Sequence, residues 1–138
     1  MLPVSLTFAA ALALFNLWLG YRIVRLRLSG KVLVGTGDNP LLEARMRAHA
    51  NFVEYSLFVL ALVVLLELAG VSPHWLRGIG IVYLLARVAH AFGMDPRSTN
   101  PLRAGGILVT WAVVIGLSGW AVYTAYAPPH PRAAMRLL

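Results

Sequence analysis

The chain has no cysteine and few charged residues. Without cysteine it cannot form a disulfide, a thiolate metal site or a cysteine nucleophile, so any sulfur chemistry must come from a ligand. Charged residues make up 12% of the 138 positions and hydrophobic residues 59%. Such a small number of polar groups cannot cover the surface of a soluble domain. The composition therefore predicts a membrane protein.

Four apolar stretches predict four membrane-spanning helices. They cover residues 3–21, 52–69, 75–92 and 107–127, and each is close to the ~20 residues that a spanning helix needs. We therefore predict an all-α protein, an integral membrane four-helix bundle formed by residues 1–127, followed by a short tail at 128–138. The first stretch has no basic leader and no convincing cleavage site, so we expect a retained helix and not a signal peptide.

Basic residues are concentrated on one side of the predicted membrane and account for the net charge of +7. That side holds Arg22, Arg25, Arg27, Lys31, Arg45, Arg47, Arg87, Arg97 and Arg103, and the other side holds Arg77, Arg132 and Arg136. The positive-inside rule then places the first and third loops in the cytoplasm and both termini on the opposite side. Membrane topology therefore explains the charge, and we expect no nucleic-acid partner.

Residues 40–69 predict one long hydrophobic helix whose first half carries polar side chains. Within it, Arg47, Asn51 and Glu54 lie at spacings of i, i+4 and i+7, which places them on one face. An ionisable residue at membrane depth is costly and usually faces the bundle interior or a wet cavity. This polar face is therefore a candidate functional site.

Local signals mark where the helices begin and pack. Asn39 before Pro40 predicts an N-cap with proline at the first helical position, and Ser72 before Pro73 predicts the same arrangement for the third helix. Small residues mark packing faces in membranes, so we expect four glycines of the fourth helix to allow close approach of helices. These are Gly105, Gly106, Gly116 and Gly119.

A second polar face lies on the predicted third helix, where Tyr83, Arg87 and His90 repeat the same spacing. The two faces can meet on the cytoplasmic side. Together with Arg103 and the basic cluster at 22–27, they would form a cationic pocket in which Glu54 is the one deep anion. Such a pocket suits a small ligand that bears two carboxylates and one ammonium. The alternative is that the arginines only reach toward lipid headgroups while Glu54 pairs internally with Arg47 or Arg87.

Two runs of residues resemble a known membrane family. The run RMRAHANFVEYSLFVLALVVLLELAG at 45–70 strongly resembles the second-helix signature of the MAPEG family, the membrane-associated proteins of eicosanoid and glutathione metabolism. The run RVAHAFGMDPRSTNPLR at 87–103 resembles that family's third helix and the following loop. The resemblance implies a homotrimer of four-helix subunits, with glutathione bound between neighbouring subunits near the cytoplasmic face.

The resemblance also implies roles for individual residues. Positions that match the family's glutathione-holding residues are Arg47, Asn51, Glu54 and Tyr55 on the second helix and His90 on the third. Arg25 resembles the first-helix arginine that reaches glutathione from the adjacent subunit, and Arg103 matches the arginine thought to stabilise the thiolate. The chain departs from several eicosanoid synthases, which have a tyrosine at the position of Met94, and from prostaglandin E synthase, which has a serine at the position of Ala104. An eicosanoid-specific synthase is therefore not expected.

Two functional classes fit these features. The first is a membrane-embedded, glutathione-dependent transferase or peroxidase, with glutathione as co-substrate and apolar electrophiles or lipid hydroperoxides arriving from the bilayer. The second is a non-catalytic, lipid-binding or scaffold trimer of the same fold. A deep carboxylate surrounded by arginines favours the enzyme, because a scaffold does not need one. We expect contact with membrane lipids and no metal site.

Overall fold

The computed structural model describes residues 1–95 and 101–126, and the regular structure in these residues is all helical. The helices are α1 (Pro3–Gly30), α2 (Pro40–Leu68), α3 (Pro73–Gly93) and α4 (Pro101–Tyr126). Each is long and apolar enough to cross a membrane. The predicted all-α fold with four membrane-spanning helices is confirmed. The predicted tail at 128–138 and Arg97 lie outside the described residues.

The start of α2 follows its sequence signal. The Asn39 side chain accepts hydrogen bonds from the backbone N–H groups of Leu41 and Leu42 at 3.0 and 3.1 Å, so the predicted N-cap is confirmed. At the start of α3, the Ser72 side chain makes no capping hydrogen bond. Pro73 alone marks that start, because its ring fixes φ near the helical value and it has no N–H to satisfy.

α1 and α4 extend beyond the apolar stretches that predicted them. α1 continues to Gly30, beyond the end of its apolar stretch at residue 21, and α4 begins at Pro101, before the stretch at 107. The 28 residues of α1 span about 42 Å, whereas the hydrocarbon core is ~30 Å thick. Hydrophobicity reports only the part of a helix inside the hydrocarbon, so it does not mark the basic turns that project beyond it.

Hydrogen bonds between α2 and α3 show that these two helices run antiparallel. Ser56 Oγ and Tyr83 Oη lie 2.9 Å apart, and Arg87 donates to Asn51 Oδ1 at 2.8 Å. Along these contacts the residue numbers on α3 fall as those on α2 rise, so the two helices run in opposite directions. The apolar core between the helices is formed by buried side chains that include Phe8, Leu19, Phe52, Val59, Leu66, Leu76 and Leu117.

At one end of the bundle a buried carboxylate joins α2 to α1. Glu67 accepts hydrogen bonds from the backbone N–H groups of Val4 and Ser5 at 3.0 and 2.7 Å, and from the Ser5 hydroxyl at 2.6 Å. The first N–H groups of a helix have no partner within the helix, and they carry partial positive charge. Glu67 therefore satisfies the N-terminus of α1 from a different helix.

At the opposite end, Asp95 joins three helices through two arginines. Arg22 of α1 forms a salt bridge to Asp95 at 3.0 Å and donates to the Ala91 carbonyl at 3.1 Å. Arg45 of α2 approaches the same carboxylate at 3.4 Å. The Arg22 guanidinium also stacks over the Trp18 ring, 4.8 Å from its centre. These contacts fix the end of α3 against α1 and α2.

α3 and α4 approach each other closely at Gly106. A Cβ placed there would lie 2.7 Å from the Ala86 carbonyl oxygen and 2.7 Å from the His90 Cβ, so only glycine fits. The prediction of close approach holds for Gly106. It is wrong for the other three glycines among the described residues, because no atom of another described helix lies within 4 Å of a Cβ placed at Gly105, Gly116 or Gly119.

Gly106→Ala is expected to destabilise the protein by about 1–3 kcal/mol, because the added methyl group forces α4 away from α3. The matched control is Gly105→Ala, which adds the same methyl group on the neighbouring residue where space is open. Thermal unfolding in detergent compares the two. Equal melting temperatures for both variants would contradict the contact described here.

Candidate functional site

A cavity of about 490 Å³ opens between α2, α3 and α4. Its polar wall brings together the residues predicted on separate helices. The lining residues are Arg47, Ala50, Asn51 and Glu54 from α2, His90 from α3, Met94 directly after α3, and Arg103, Ala104 and Ile107 from α4. The predicted meeting of the α2 and α3 polar faces is therefore observed, with Arg103 added from α4.

Arg47 enters this cavity from the solvent side and already has one carboxylate partner. Its guanidinium forms a salt bridge to Glu43, one helical turn earlier, at 2.9 Å. Both side chains are largely exposed, at 72% and 48%. An exposed pair of this kind contributes roughly 0–1 kcal/mol. A carboxylate of a ligand can therefore displace Glu43 at little cost.

Glu54 is the carboxylate of the cavity, and it has no ion pair or hydrogen bond to any described residue. The alternative in which it pairs with Arg47 or Arg87 is wrong, since Arg47 pairs with Glu43 and Arg87 bonds to Asn51 and Thr110. The carboxylate is exposed to the cavity. It remains available to accept hydrogen bonds from a cationic group of a ligand.

His90 and Arg103 are joined through the backbone of α4. His90 Nδ1 lies 3.1 Å from the Arg103 carbonyl oxygen. Because a carbonyl only accepts hydrogen bonds, Nδ1 must carry the proton, which leaves Nε2 of the neutral ring as an acceptor. The Arg103 guanidinium is exposed and forms no hydrogen bond with a described residue. Only the backbone of Arg103 is fixed by this contact, and its charged group is free to meet a ligand.

Arg87 lies behind the cavity wall and does not line it. Its side chain is buried, with 1% of its surface exposed. It donates to Asn51 Oδ1 at 2.8 Å and to Thr110 Oγ1 at 3.2 Å, and its Nε has no hydrogen-bond partner. Thr110 in turn donates to the Gly106 carbonyl at 2.8 Å. Arg87 thus links α2, α3 and α4 beneath the site.

Two other predicted site residues lie outside the cavity of their own chain. Tyr55 Oη accepts a hydrogen bond from Trp111 Nε1 at 2.9 Å, which joins α2 to α4 beside the cavity. Arg25 is exposed on α1 and does not line the cavity. Tyr55 is therefore fixed by Trp111, whereas the Arg25 side chain is exposed on the surface of this chain.

The other arginines of the basic cluster on α1 are engaged in structural contacts and do not reach the cavity. Arg22 binds Asp95, and Arg27 donates to the Leu33 carbonyl at 3.1 Å in the α1–α2 loop. Arg27 nevertheless lines an adjoining cavity together with Glu54, so the cluster meets the polar face of α2 at Arg27 but adds no residue to the first cavity. These arginines lie on α1, which does not contribute to the cavity lining.

The cavity wall offers hydrogen-bond donors, two of them positively charged, and hydrogen-bond acceptors, one of them negatively charged. Arg47, Asn51 and Arg103 offer N–H groups, whereas Glu54 and His90 Nε2 offer acceptors. Among the described residues there is no group of three or more His, Asp or Glu side chains arranged to hold a metal ion. The arrangement can bind a small zwitterionic molecule with an excess of negative charge, and it can hold an anion near Arg103.

Sequence reasoning missed three residues that support the site: Asp95, Thr110 and Trp111. Each is a single residue without periodic companions, so no spacing pattern identified it. The available signal for Thr110 was polarity in an apolar segment. The signal for Asp95 was an acidic residue in a basic chain. No signal in the sequence indicated that Trp111 would donate a hydrogen bond to Tyr55.

Comparison with known proteins gives a family match and relatives of similar length. The sequence model of the MAPEG family matches residues 5–123 of this chain. The chain is 30% identical over 112 residues to the inner membrane protein YecN of Escherichia coli strain K12, and equally to YecN of Escherichia coli O6:H1. In both comparisons the alignment covers 81% of this chain and 85% of the relative.

Proposed function

Because this chain belongs to the MAPEG family and is a multi-pass integral membrane protein, we propose that it is a glutathione-dependent transferase or peroxidase. Its substrates would be apolar electrophiles or lipid hydroperoxides. The observation that carries the proposal is the cavity in which Arg47, Asn51, Glu54 and Arg103 lie together although they come from two helices. A carboxylate that shares a cavity wall with two guanidinium groups is not needed in a bundle that only packs against lipid.

Glutathione matches the donors and acceptors of this wall. Its two carboxylates pair with the N–H groups of Arg47 and Asn51, and its ammonium pairs with Glu54, the carboxylate that has no partner in the described structure. Charge-assisted hydrogen bonds of this kind are stronger than neutral ones. In this arrangement the ligand supplies the negative charge that the cavity lacks.

Arg103 acts on the sulfur atom. A free thiol with a pKa near ~8.5 is only a few per cent thiolate at neutral pH, and one neighbouring cation lowers a pKa by about 1–3 units. The exposed guanidinium of Arg103 supplies that cation. The thiol proton passes to solvent, and the sulfur of glutathione becomes the nucleophile. The protein itself does not need to supply a cysteine.

Two reactions follow from a bound thiolate. With an aryl halide, the sulfur forms a bond to the ring carbon, and the halide leaves with the bonding electron pair. With a lipid hydroperoxide, the sulfur attacks the terminal oxygen, the O–O bond breaks, and the alkoxide takes a proton to give the alcohol. The sulfenic acid that remains on the first glutathione reacts with a second glutathione, which yields the disulfide and water.

Arg25 connects the proposed function to assembly. It is exposed and lies outside the cavity of its own chain. We propose a homotrimer in which Arg25 of one subunit reaches glutathione in the cavity of the next. The concentration of arginine at this end of the bundle favours a cytoplasmic position for the cavity, by the positive-inside rule.

Glu54→Gln is expected to weaken glutathione binding about ten-fold or more, since it removes the charged acceptor for the ammonium. Arg47→Ala should also weaken glutathione binding, because it removes a hydrogen-bond donor to a carboxylate of the ligand. The matched control is Glu43→Gln, which makes the same change in the carboxylate that pairs with Arg47 outside the cavity. That control should bind glutathione as well as the parent or up to about five-fold more tightly.

Calorimetric titration of the purified protein measures these affinities. Unchanged affinity in both Glu54→Gln and Arg47→Ala, with the assembly intact, would show that glutathione does not occupy this cavity. Equal losses in Glu43→Gln and Glu54→Gln would instead indicate a general effect of charge.

The protein is expected to be a trimer in mild detergent, with each site shared by two subunits. Native mass spectrometry should show three chains per particle. Arg25→Ala and Glu54→Gln should each lose glutathione binding when expressed alone. When the two variants are expressed together, mixed trimers should regain part of it, because one interface then combines an intact Glu54 with an intact Arg25. Monomers only, or no recovery in the mixture, would contradict the shared site.

Arg103→Leu is expected to leave glutathione bound but to reduce its thiolate fraction at neutral pH about eight- to thirty-fold, to the few per cent of a free thiol. The reason is that the guanidinium acts on the ionised sulfur, while other residues hold the carboxylates. Thiolate absorbance in the ultraviolet and conjugation of a generic aryl halide measure the change. Arg77→Leu, which removes an exposed arginine at the other end of the bundle, is the control and should keep both signals.

Normal turnover in Arg103→Leu would show that this arginine is only a surface charge. If the parent protein binds glutathione yet shows neither a thiolate signal nor turnover with aryl halides and hydroperoxides, the non-catalytic lipid-binding or scaffold trimer replaces the enzyme.

A further inference from the structure

Arg87 carries a positive charge that no carboxylate neutralises. Its side chain is 1% exposed, its Nε has no hydrogen-bond partner, and it forms no ion pair with a described residue. A buried charge without a partner of opposite sign is destabilising. An apolar side chain of similar length would fill the same space without that cost. What the guanidinium supplies, and an apolar side chain could not, is its hydrogen bonds to Asn51 and Thr110.

The bond between Arg87 and Asn51 fixes how the Asn51 amide is turned. A guanidinium has only N–H donors, so the amide must present its oxygen to Arg87, as the contact of 2.8 Å shows. Rotation of the amide by half a turn would set N–H groups against N–H groups. Asn51 Nδ2 makes no hydrogen bond to a described residue, and Asn51 lines the cavity. The amide therefore offers two N–H donors to whatever occupies the cavity.

We propose that Arg87 is a positioning residue that holds Asn51 as a hydrogen-bond donor, so that the cavity selects a ligand with a carboxylate or carbonyl oxygen at this point. This inference rests on the proposed function, in which that oxygen belongs to glutathione. Without Arg87 the amide of Asn51 rotates freely and presents its own oxygen to the ligand for part of the time. Two acceptor oxygens facing each other repel, which lowers the affinity.

Thr110 distinguishes this role from general support of the fold. It accepts the other hydrogen bond of Arg87, at 3.2 Å, but it is fully buried and does not line the cavity. Loss of its hydroxyl therefore weakens the contacts of the same guanidinium without freeing the Asn51 amide. A purely structural role for Arg87 predicts similar consequences for Thr110→Val and for loss of the Asn51 contact.

A double-mutant cycle on glutathione binding tests the inference. Arg87→Met and Asn51→Ala should each weaken binding by about ten-fold, and the double variant should also lose about ten-fold, because Arg87 acts through Asn51. Independent effects would instead multiply to about a hundred-fold. Thr110→Val should lower the melting temperature yet keep the dissociation constant within about two-fold of the parent. A hundred-fold loss in the double variant, or a ten-fold loss in Thr110→Val, overturns the positioning role.

Asn51→Asp tests the same point without altering Arg87, and so remains informative if Arg87→Met does not fold. The new carboxylate gives Arg87 its missing ion pair, so the protein should melt at a higher temperature than the parent. It should also bind glutathione more weakly than Asn51→Ala does, because it offers the ligand acceptors and negative charge. Binding equal to the parent contradicts the inference while the proposed function stands. If the parent itself does not bind glutathione, the proposed function fails and the inference falls with it.

Discussion

The burial of the Arg87 charge is the constraint on which the centre of this bundle depends. A guanidinium out of water must donate its hydrogen bonds within the protein, and Arg87 finds its acceptors on two other helices, at Asn51 and Thr110. α4 must also lie close enough for Thr110 to be reached, which the absence of a side chain at Gly106 allows. One charge thus sets the relation of three helices and the wall of the cavity between them.

Acidic residues are scarce in this chain, and their placement explains the charge of the cavity. Of five acidic residues, Asp38 lies in the loop between α1 and α2. Glu43 pairs with Arg47, Glu67 binds the start of α1, and Asp95 binds Arg22 and Arg45. Glu54 is thereby left as the single carboxylate in the wall. With Arg47, Arg103 and the buried Arg87 nearby, positive charge dominates, and a ligand that is anionic overall fits best.

Periodicity in the sequence predicted the polar faces of α2 and α3, because a spacing of three or four residues determines a helix face before any packing is known. The spacing could not show which members of a face reach the cavity. Asn51 and His90 line it, whereas Arg87, on the same face as His90, lies behind the wall.

That difference depends on the rotation of α3 against α4, which is set by contacts between distant residues. The same limit applies to the glycines of α4, where only Gly106 meets a neighbouring helix. It also applies to Arg22, whose partner Asp95 is far away along the chain. By contrast, the cap at Asn39 involves only adjacent residues and could be predicted.

The carboxylate of Glu67 has a practical consequence for experiments on this protein. It holds the first turn of α1 beside the last turn of α2, whereas Arg47 and Glu54 lie in the first half of α2. The twenty residues from Arg47 to Glu67 span about 30 Å of helix. A fluorophore or affinity handle attached ahead of Pro3 would therefore sit at the far end of the bundle from the cavity, and the protein can be immobilised by that end while its ligands are exchanged.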